Sequence, residues 1–440
     1  MDIPRNYPEH FDQRICPSPF WLRTPVVLVA SCGLPALLAC YLPSEVYQLE
    51  WRMPKYFENS DLLLVVTSIS VLTVGFWIGA ANIRKLLPLD VQPGPALKNW
   101  AGFACLLTYL GYFVLFGVAV IHGLRLSHIA QAISGYDMRY SPFLRDGKME
   151  TVSGVSTMTQ FGIAAVVLCS LAFWHRPKLF RVLVCPMLLL SALRALLNSE
   201  RLAVLELAIP LGIMWLRMNF IGRLVSIWTP IRLNMIPVLT FIAVFVMFAG
   251  MESFRSWRHY QKKSDSLIEF AAIRFGGYYV TSMNNGALLL DHSGEQPFPY
   301  YSIEWFWRMP ILSSIFSYEE MSGIDPSKDF QSMLATYANP EFNNPGGLFV
   351  LLGDMGVIGG LTIMFVMGIF FGIAYSSFIL GRLGGLLFYP TTIVCALEMP
   401  RFFYYGSHRN FPSVIFLFVV TLLCAVRYNH DSSEKRLASY

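Results

Sequence analysis

Arginines stand at the borders of apolar stretches in this sequence, where charges are not expected. Arg194 and Arg201 flank a short turn between two such stretches, and Glu206 lies five residues further along the second stretch. The planar guanidinium group of arginine suits bidentate contact with a phosphate group. We therefore predict a cationic phosphate-binding pocket at Arg194 and Arg201. The alternative is that both arginines snorkel to a membrane interface and that Glu206 is their structural ion-pair partner.

A third arginine lies on the apolar side of a predicted helix that covers residues 266–274. The face in question carries Leu267, Phe270, Ala271, Arg274 and Tyr278. An arginine on this face points toward protein or membrane, whereas a purely solvating arginine would lie on the opposite face. We predict that Arg274 and Tyr278 bind substrate. Snorkelling of Arg274 from a re-entrant helix is the alternative.

An aromatic stretch from Tyr300 to Pro310 contains one acid and one base, Glu304 and Arg308. Their spacing of four residues predicts an ion pair within a helix. The aromatic rings are typical of anchors at a membrane interface, and a platform on which sugars stack is the alternative. We place Arg308 among the predicted substrate-binding residues.

A later polar stretch, from Glu398 to Asn410, adds two arginines, a histidine and two tyrosines. We predict that Arg401 and Arg409 bind substrate on the same face of the protein as the earlier arginines. His408 is a candidate catalytic residue, and an ordinary loop histidine is the alternative.

Two further polar residues border the start of an apolar stretch. Asn344 lies in a turn-rich segment just before this stretch, and Asp354 lies inside it. A carboxylate at membrane depth needs a partner or a water-filled cavity. We predict that Asn344 binds substrate and that Asp354 is catalytic.

These residue types fit the transfer of a sugar chain from a lipid-linked diphosphate. Arginines would stabilise the charge that grows on the departing diphosphate. Asp354, Glu206 or His408 would take a proton from the attacking sugar hydroxyl. The sequence has no P-loop, no G-x-S-x-G and no H-E-x-x-H motif, and its eight cysteines show no metal spacing. We therefore expect neither a metal nor a cofactor.

Apolar stretches make up most of the elements that must position these residues. The chain is 55% hydrophobic and 14% charged, and its mean hydropathy is +0.50. Stretches of roughly 17–22 apolar residues can cross a hydrocarbon core of about 30 Å. We predict an all-α polytopic integral membrane protein with about ten transmembrane helices, at residues 24–42, 61–81, 100–121, 153–174, 179–197, 202–217, 232–252, 348–381, 383–399 and 411–427. The eighth span is long, and we expect its first third to be a loop or a half-helix.

Lysine and arginine in the short loops and termini favour one orientation, with both termini in the cytoplasm. This orientation divides the chain into N-terminal helices (residues 1–252), one large outer loop with short helices (253–346), and C-terminal helices with a cytoplasmic tail (347–440). We attribute the net charge of +5 to orientation, so we expect no nucleic-acid partner.

The layout and four short stretches together resemble bacterial oligosaccharide repeat-unit polymerases of the Wzy type. The stretches are Arg194 to Arg201, Arg274 to Tyr278, Asn344-Pro345, and Asp354 to Gly360. The resemblance implies a glycosyltransferase of the bacterial inner membrane that polymerises undecaprenyl-diphosphate-linked repeat units at the periplasmic face. It also implies a chain-length regulator protein as a partner besides the lipid bilayer, and no required metal. It assigns substrate binding to Arg194, Arg201 and Arg274, and it extends to Asn344 and Asp354.

Three alternatives remain open at this point. An O-antigen ligase would use the same donor with a different acceptor, and His259, His292 and His408 would be candidates for its loop histidine. A polysaccharide or lipid exporter would show paired broken helices and charges along a path across the membrane. The unexpected charges here cluster at one face, which argues against an exporter. A receptor or assembly scaffold is the last alternative.

Overall fold

Helices form almost all of the regular structure in this chain. The computed structural model describes residues 13–82, 95–128, 130, 152, 154–198, 202–226, 228–255, 257, 265–292 and 297–437. The helices are α1 (Thr24–Tyr41), α2 (Ser44–Glu50), α3 (Asn59–Asn82), α4 (Pro95–Ile121), α5 (Gly162–Phe173), α6 (Pro177–Asn198), α7 (Leu202–Asn219), α8 (Thr229–Asn234), α9 (Ile236–Arg255), α10 (Leu267–His292), α11 (Glu304–Arg308), α12 (Pro310–Ser313), α13 (Tyr318–Ser322), α14 (Pro326–Tyr337), α15 (Gly347–Ile379), α16 (Leu383–Glu398) and α17 (Phe411–Leu437). Two strands, β1 (Gln13–Ile15) and β2 (Leu224–Ser226), pair antiparallel with Arg14 opposite Val225.

The apolar helices match the spans that the sequence predicts. Within the described residues, eight helices are long and apolar enough to cross a membrane. Two shorter apolar helices, Leu383–Glu398 and Phe411–Cys424, accompany them. The prediction of an all-α polytopic membrane protein is therefore confirmed.

The predicted outer loop contains short helices, α11 to α14, but also one long helix, α10. The sequence predicted a helix there only for residues 266–274, whereas α10 has 26 residues and is about 39 Å long. Asn284 and Asn285 do not interrupt it, because both side chains have hydrogen-bond partners elsewhere in the protein. Asn284 Oδ1 accepts the backbone N–H of Tyr56 at 2.7 Å, and Asn285 Nδ2 donates to the carbonyl oxygen of Asn344 at 3.2 Å. Tertiary contacts thus outweigh local turn preference.

Helix α15 consists of two helices that meet at Gly356. This residue has φ 67° and ψ 166°, a conformation that is essentially restricted to glycine. The chain folds back there onto the preceding half-helix, residues 347–355. The approach is so close that a Cβ on Gly360 would lie 2.8 Å from a carbonyl oxygen of this half-helix. Of the two alternatives predicted for the first third of the eighth span, a loop or a half-helix, the structure has the half-helix. At its start, the N–H of Gly347 donates to the carbonyl oxygen of Met399 at 2.9 Å, beside the end of α16.

The packing of the helices brings distant stretches of the chain together. Helix α15 packs against α3 and α16, and α10 packs against α1, α9 and α15. Helix α7 packs against α5, α6 and α16. Helices α7, α9 and α10, the turn before α15 and the segment after α16 therefore meet around one region of the protein.

Candidate functional site

A cavity of about 300 Å³ lies where these elements meet. Part of the cavity lining, here called the apolar wall, is formed by side chains from α7, α9 and α10. These side chains are Leu202, Leu205, Val244, Met247, Phe248 and Phe275. Because α7 and α9 are both membrane-spanning by length and composition, this wall can accommodate a hydrocarbon chain.

The same lining includes polar side chains, here called the polar wall, with Arg401 and Arg409 from the segment between α16 and α17. Asn344 and Glu398 complete this wall. Arg401 Nη1 lies 2.9 Å from Glu398 Oε2. Arg401 Nε is buried and has no hydrogen-bond partner among the residues that the structure describes. This guanidinium group therefore keeps a donor for an anionic ligand.

Glu206 is buried in α7 directly behind this polar wall. Its Oε1 lies 3.2 Å from Arg409 Nε and also accepts a hydrogen bond from the hydroxyl of Tyr404. The sequence suggested a catalytic role, with a structural glutamate–arginine pair as the alternative. The geometry agrees with the alternative, and the arginine in the pair is Arg409, which is about 200 residues distant along the chain.

Arg194 lies in the same neighbourhood but does not line the cavity. Its Nη1 donates to the hydroxyl oxygen of Thr159 at 2.8 Å. The hydroxyl of Tyr112 lies within electrostatic range of Arg194, Glu206 and Arg409, so these charged groups form one cluster. Arg194 thus lies in the same neighbourhood as Arg409 but outside the cavity lining.

Arg274 faces the apolar side of α10, as the sequence predicts, but two acids surround it there. Arg274 Nε lies 3.0 Å from Glu252 Oε2, and Arg274 Nη2 donates to Glu341 Oε1 at 2.6 Å. Burial alone would lower the pKa of Arg274, but Glu252 and Glu341 outweigh burial and raise this pKa above its ordinary value. Arg274 is not among the residues that line the cavity, and its adjacent residue Phe275 is.

His408 and Arg308 belong to a second group of charges, centred on Glu304. Arg308 Nε lies 3.1 Å from Glu304 Oε1, so the ion pair predicted from their spacing is confirmed. His408 Nδ1 lies 3.2 Å from Glu304 Oε2. Burial would raise the pKa of the Glu304 carboxyl, but His408 and Arg308 lower it below its usual range. Arg308 is therefore held in a local network and does not reach the cavity wall.

The aromatic rings around Glu304 pack mainly on one another. Trp305 stacks on Phe411 with ring centroids 3.6 Å apart, and Trp307 meets Tyr318 edge-on at 5.0 Å. The backbone N–H of Trp305 also donates to the carbonyl oxygen of Gly406 at 2.9 Å. This hydrogen bond attaches α11 to the segment that carries Arg401 and Arg409, and the stacking on Phe411 attaches it to α17.

Asp354 has a hydrogen-bond partner at the end of the half-helix. Its Oδ2 accepts the backbone N–H of Ser302 at 2.6 Å and the Ser302 hydroxyl at 2.7 Å. This carboxylate therefore joins the break in α15 to the segment before α11. Ser302 is therefore the partner that the sequence led us to expect for the Asp354 carboxylate. Asp354 does not line the cavity.

The structure thus brings four of the predicted substrate-binding residues to one cavity, namely Tyr278, Asn344, Arg401 and Arg409. The predicted residue Arg201 and the histidine His259 lie outside the described residues. Sequence reasoning missed three acids that pair with arginines, namely Glu252, Glu341 and Glu398. The position of Glu252 and Glu398 at the ends of apolar stretches was a usable signal, since an acid at membrane depth calls for a partner.

Among the described residues, no group of three histidine, cysteine, aspartate or glutamate side chains is placed to hold a metal ion. Comparison of the chain with models of protein families, with curated proteins and with solved structures finds no match. The case for a function therefore depends on the geometry of the cavity.

Proposed function

We propose that the chain is a membrane glycosyltransferase that joins undecaprenyl-diphosphate-linked oligosaccharide repeat units into O-antigen, capsule or exopolysaccharide. The observation that supports this proposal is the cavity, whose lining combines the apolar side chains of α7, α9 and α10 with Arg401 and Arg409. A lipid-linked diphosphate has the same combination, with a hydrocarbon chain next to anionic phosphates. The apolar wall takes the part of the chain nearest the phosphates, and the two guanidinium groups bind the phosphates.

In the proposed reaction, a sugar hydroxyl of the incoming unit attacks the anomeric carbon at the end of the growing glycan. A glycosidic bond forms while the bond between this carbon and the diphosphate oxygen breaks, and the lipid diphosphate leaves with the electron pair. Arg401 and Arg409 stabilise the negative charge on this leaving group. The proton of the attacking hydroxyl passes to a base on the protein.

His408 fits the role of this base better than Glu206 or Asp354. The Glu206 carboxylate is engaged by Tyr404 and Arg409, and Asp354 accepts two hydrogen bonds from Ser302. Glu304 Oε2 lies 3.2 Å from His408 Nδ1, so Nε2 on the other side of the ring is directed away from that carboxylate. His408 itself is outside the cavity lining, and it directly precedes Arg409, which lines the cavity.

The proposed location is the bacterial inner membrane, with both termini in the cytoplasm and the cavity on the periplasmic side. The lipid bilayer supplies the substrate, and a chain-length regulator protein is the proposed protein partner. Reporter fusions after α9 and after α17 test this orientation. A periplasmic reporter signal after α9 and a cytoplasmic signal after α17 support it, and the reverse pattern contradicts it.

The function is tested by glycan length in a strain that lacks the gene and carries it back on a plasmid. We expect single repeat units without the gene and long polymer with the wild-type gene. Arg401→Ala and Arg409→Ala should each shift the product back toward single units while the protein still inserts. Lys328→Ala is the matched control, because Lys328 is an exposed cation on α14 that does not line the cavity.

Other results of this experiment assign other functions. Long glycan that stays on the lipid carrier in the deletion strain indicates a ligase, because polymerisation then does not need this protein. Repeat units that accumulate only on the cytoplasmic side indicate an exporter. Unchanged glycan in the deletion strain contradicts all three functions.

A further inference from the structure

Arg274 on α10 forms ion pairs with two acids from other parts of the chain, one on α9 and one in the turn before α15. Glu252 on α9 lies 3.0 Å from its Nε, and Glu341 lies 2.6 Å from its Nη2. The guanidinium group also lies over the ring of Phe342, 5.8 Å from the ring centroid. We call Glu252, Arg274 and Glu341 the charge clamp.

Each member of the charge clamp lies close to a residue that lines the cavity. On α9, Glu252 lies one helical turn after Phe248. On α10, Arg274 lies one turn before Tyr278. Glu341 precedes Asn344 in the turn before α15. The clamp therefore holds together three of the elements that form the cavity wall.

The two acids of the clamp differ in how far they are removed from water. The Glu252 side chain is fully buried, whereas 36% of the Glu341 side chain is exposed. Loss of Arg274 would leave Glu252 as a buried charge without compensation from the clamp, which proteins tolerate poorly. Loss of the Glu341 charge costs little in itself, because water already solvates this carboxylate. Its main effect is to release the turn that carries Asn344.

We propose that Arg274 is a positioning residue, which acts through the charge clamp to place Tyr278 and Asn344 around the lipid-linked diphosphate, and is not a ligand of that diphosphate. This inference depends on the proposed function for its ligand. It differs from the prediction that Arg274 itself binds substrate, and the two roles respond differently to a second mutation.

The first test is rescue of Arg274→Gln by Glu252→Gln. In the single variant, the buried Glu252 loses its ion pair with Arg274, so we expect polymer to be lost. In the double variant both members of this buried ion pair are replaced by neutral side chains, which proteins tolerate at little cost, and we expect polymer output to return to within about threefold of wild type. A direct phosphate ligand cannot be replaced in this way. A double variant that inserts normally but makes no more polymer than Arg274→Gln overturns the proposal.

The second test is Glu341→Gln, measured with purified protein and a lipid-linked repeat unit as substrate. We expect KM to rise about threefold with kcat little changed, as suits the loss of a partly exposed ion pair that positions a binding wall. Glu320→Gln, an exposed acid on α13 outside the clamp, is the matched control and should leave both constants unchanged. A Glu341→Gln variant with an unchanged KM, or with a fall in kcat alone, contradicts the positioning role.

Failure of the clamp and failure of the proposed function give different results. If wild-type protein makes no polymer from lipid-linked repeat units, the proposed function is wrong. If wild-type protein makes polymer and the double variant shows no rescue, only the clamp is wrong.

Discussion

Arg409 Nε lies 3.2 Å from Oε1 of Glu206, a carboxylate buried in α7 behind the polar wall of the cavity. The same carboxylate accepts a hydrogen bond from the hydroxyl of Tyr404. Arg409 and Tyr404 both belong to the irregular segment between α16 and α17, so Glu206 attaches this segment to a membrane-spanning helix. The direction of a guanidinium group at the cavity wall is fixed in this way.

Glu206→Gln should therefore weaken the site without preventing insertion. A hydrogen bond that involves a charged group contributes about 1.5–3 kcal/mol, so we expect polymer output to fall about tenfold. Glycan length on gels, together with the amount of protein in the membrane, measures this effect. Lys328→Ala serves again as the control, and wild-type polymer from Glu206→Gln would show that Arg409 does not need this partner.

The network around Glu304 predicts a dependence of stability on pH. Burial would raise the pKa of the Glu304 carboxyl, but His408 and Arg308 lower it below its ordinary value of 4.5. A lowered pKa in the folded state gives stability that is present above pH 4.5 and is lost as the pH falls through the folded-state value. We expect the Tm of purified protein to fall with pH in this acidic range, and to fall less in Glu304→Gln. Equal slopes in the two proteins would contradict this account.

Gly356→Ala should destabilise the fold at the break in α15. A residue with a Cβ is strained at the φ of 67° and ψ of 166° found at this position. We therefore expect a loss of about 1–3 kcal/mol in the free energy of unfolding. Gly212→Ala is the matched control, since Gly212 is helical in α7 and a Cβ there meets nothing within 4 Å. Chemical unfolding in detergent should show a lower stability for the first variant and an unchanged or higher stability for the second.

Asp354→Asn separates a structural carboxylate from a catalytic one. The hydrogen bonds from Ser302 predict a loss of about 1 kcal/mol in the free energy of unfolding, because an amide oxygen accepts them less strongly. We expect polymer to be made at a temperature where the variant stays folded. A folded Asp354→Asn protein without any polymer would instead identify Asp354 as the base.

The sequence was sufficient to predict the membrane helices but not the ion pairs between them. The length and position of a membrane helix can be read directly from a run of apolar residues. The predicted span at 24–42 therefore agrees with the helix Thr24–Tyr41. Helix α10 extends far beyond the predicted residues 266–274, and the partners of Asn284 and Asn285 that support this extension lie elsewhere in the chain. Arg401 and Arg409 were predicted as site residues because they are arginines at the border of an apolar stretch. The pairing of Arg409 with Glu206 depends on tertiary packing, which no local pattern reports, whereas Arg401 pairs with Glu398 only three residues away.

The central claim is that the cavity with Arg401 and Arg409 binds the diphosphate of a lipid-linked glycan. Its most direct test is the affinity of purified protein in nanodiscs for undecaprenyl diphosphate carrying one repeat unit. We expect wild-type protein and Lys328→Ala to bind equally, and we expect Arg401→Ala/Arg409→Ala to bind about 100-fold more weakly, as suits the loss of two charge-assisted contacts. Equal affinity in the double variant would contradict the account.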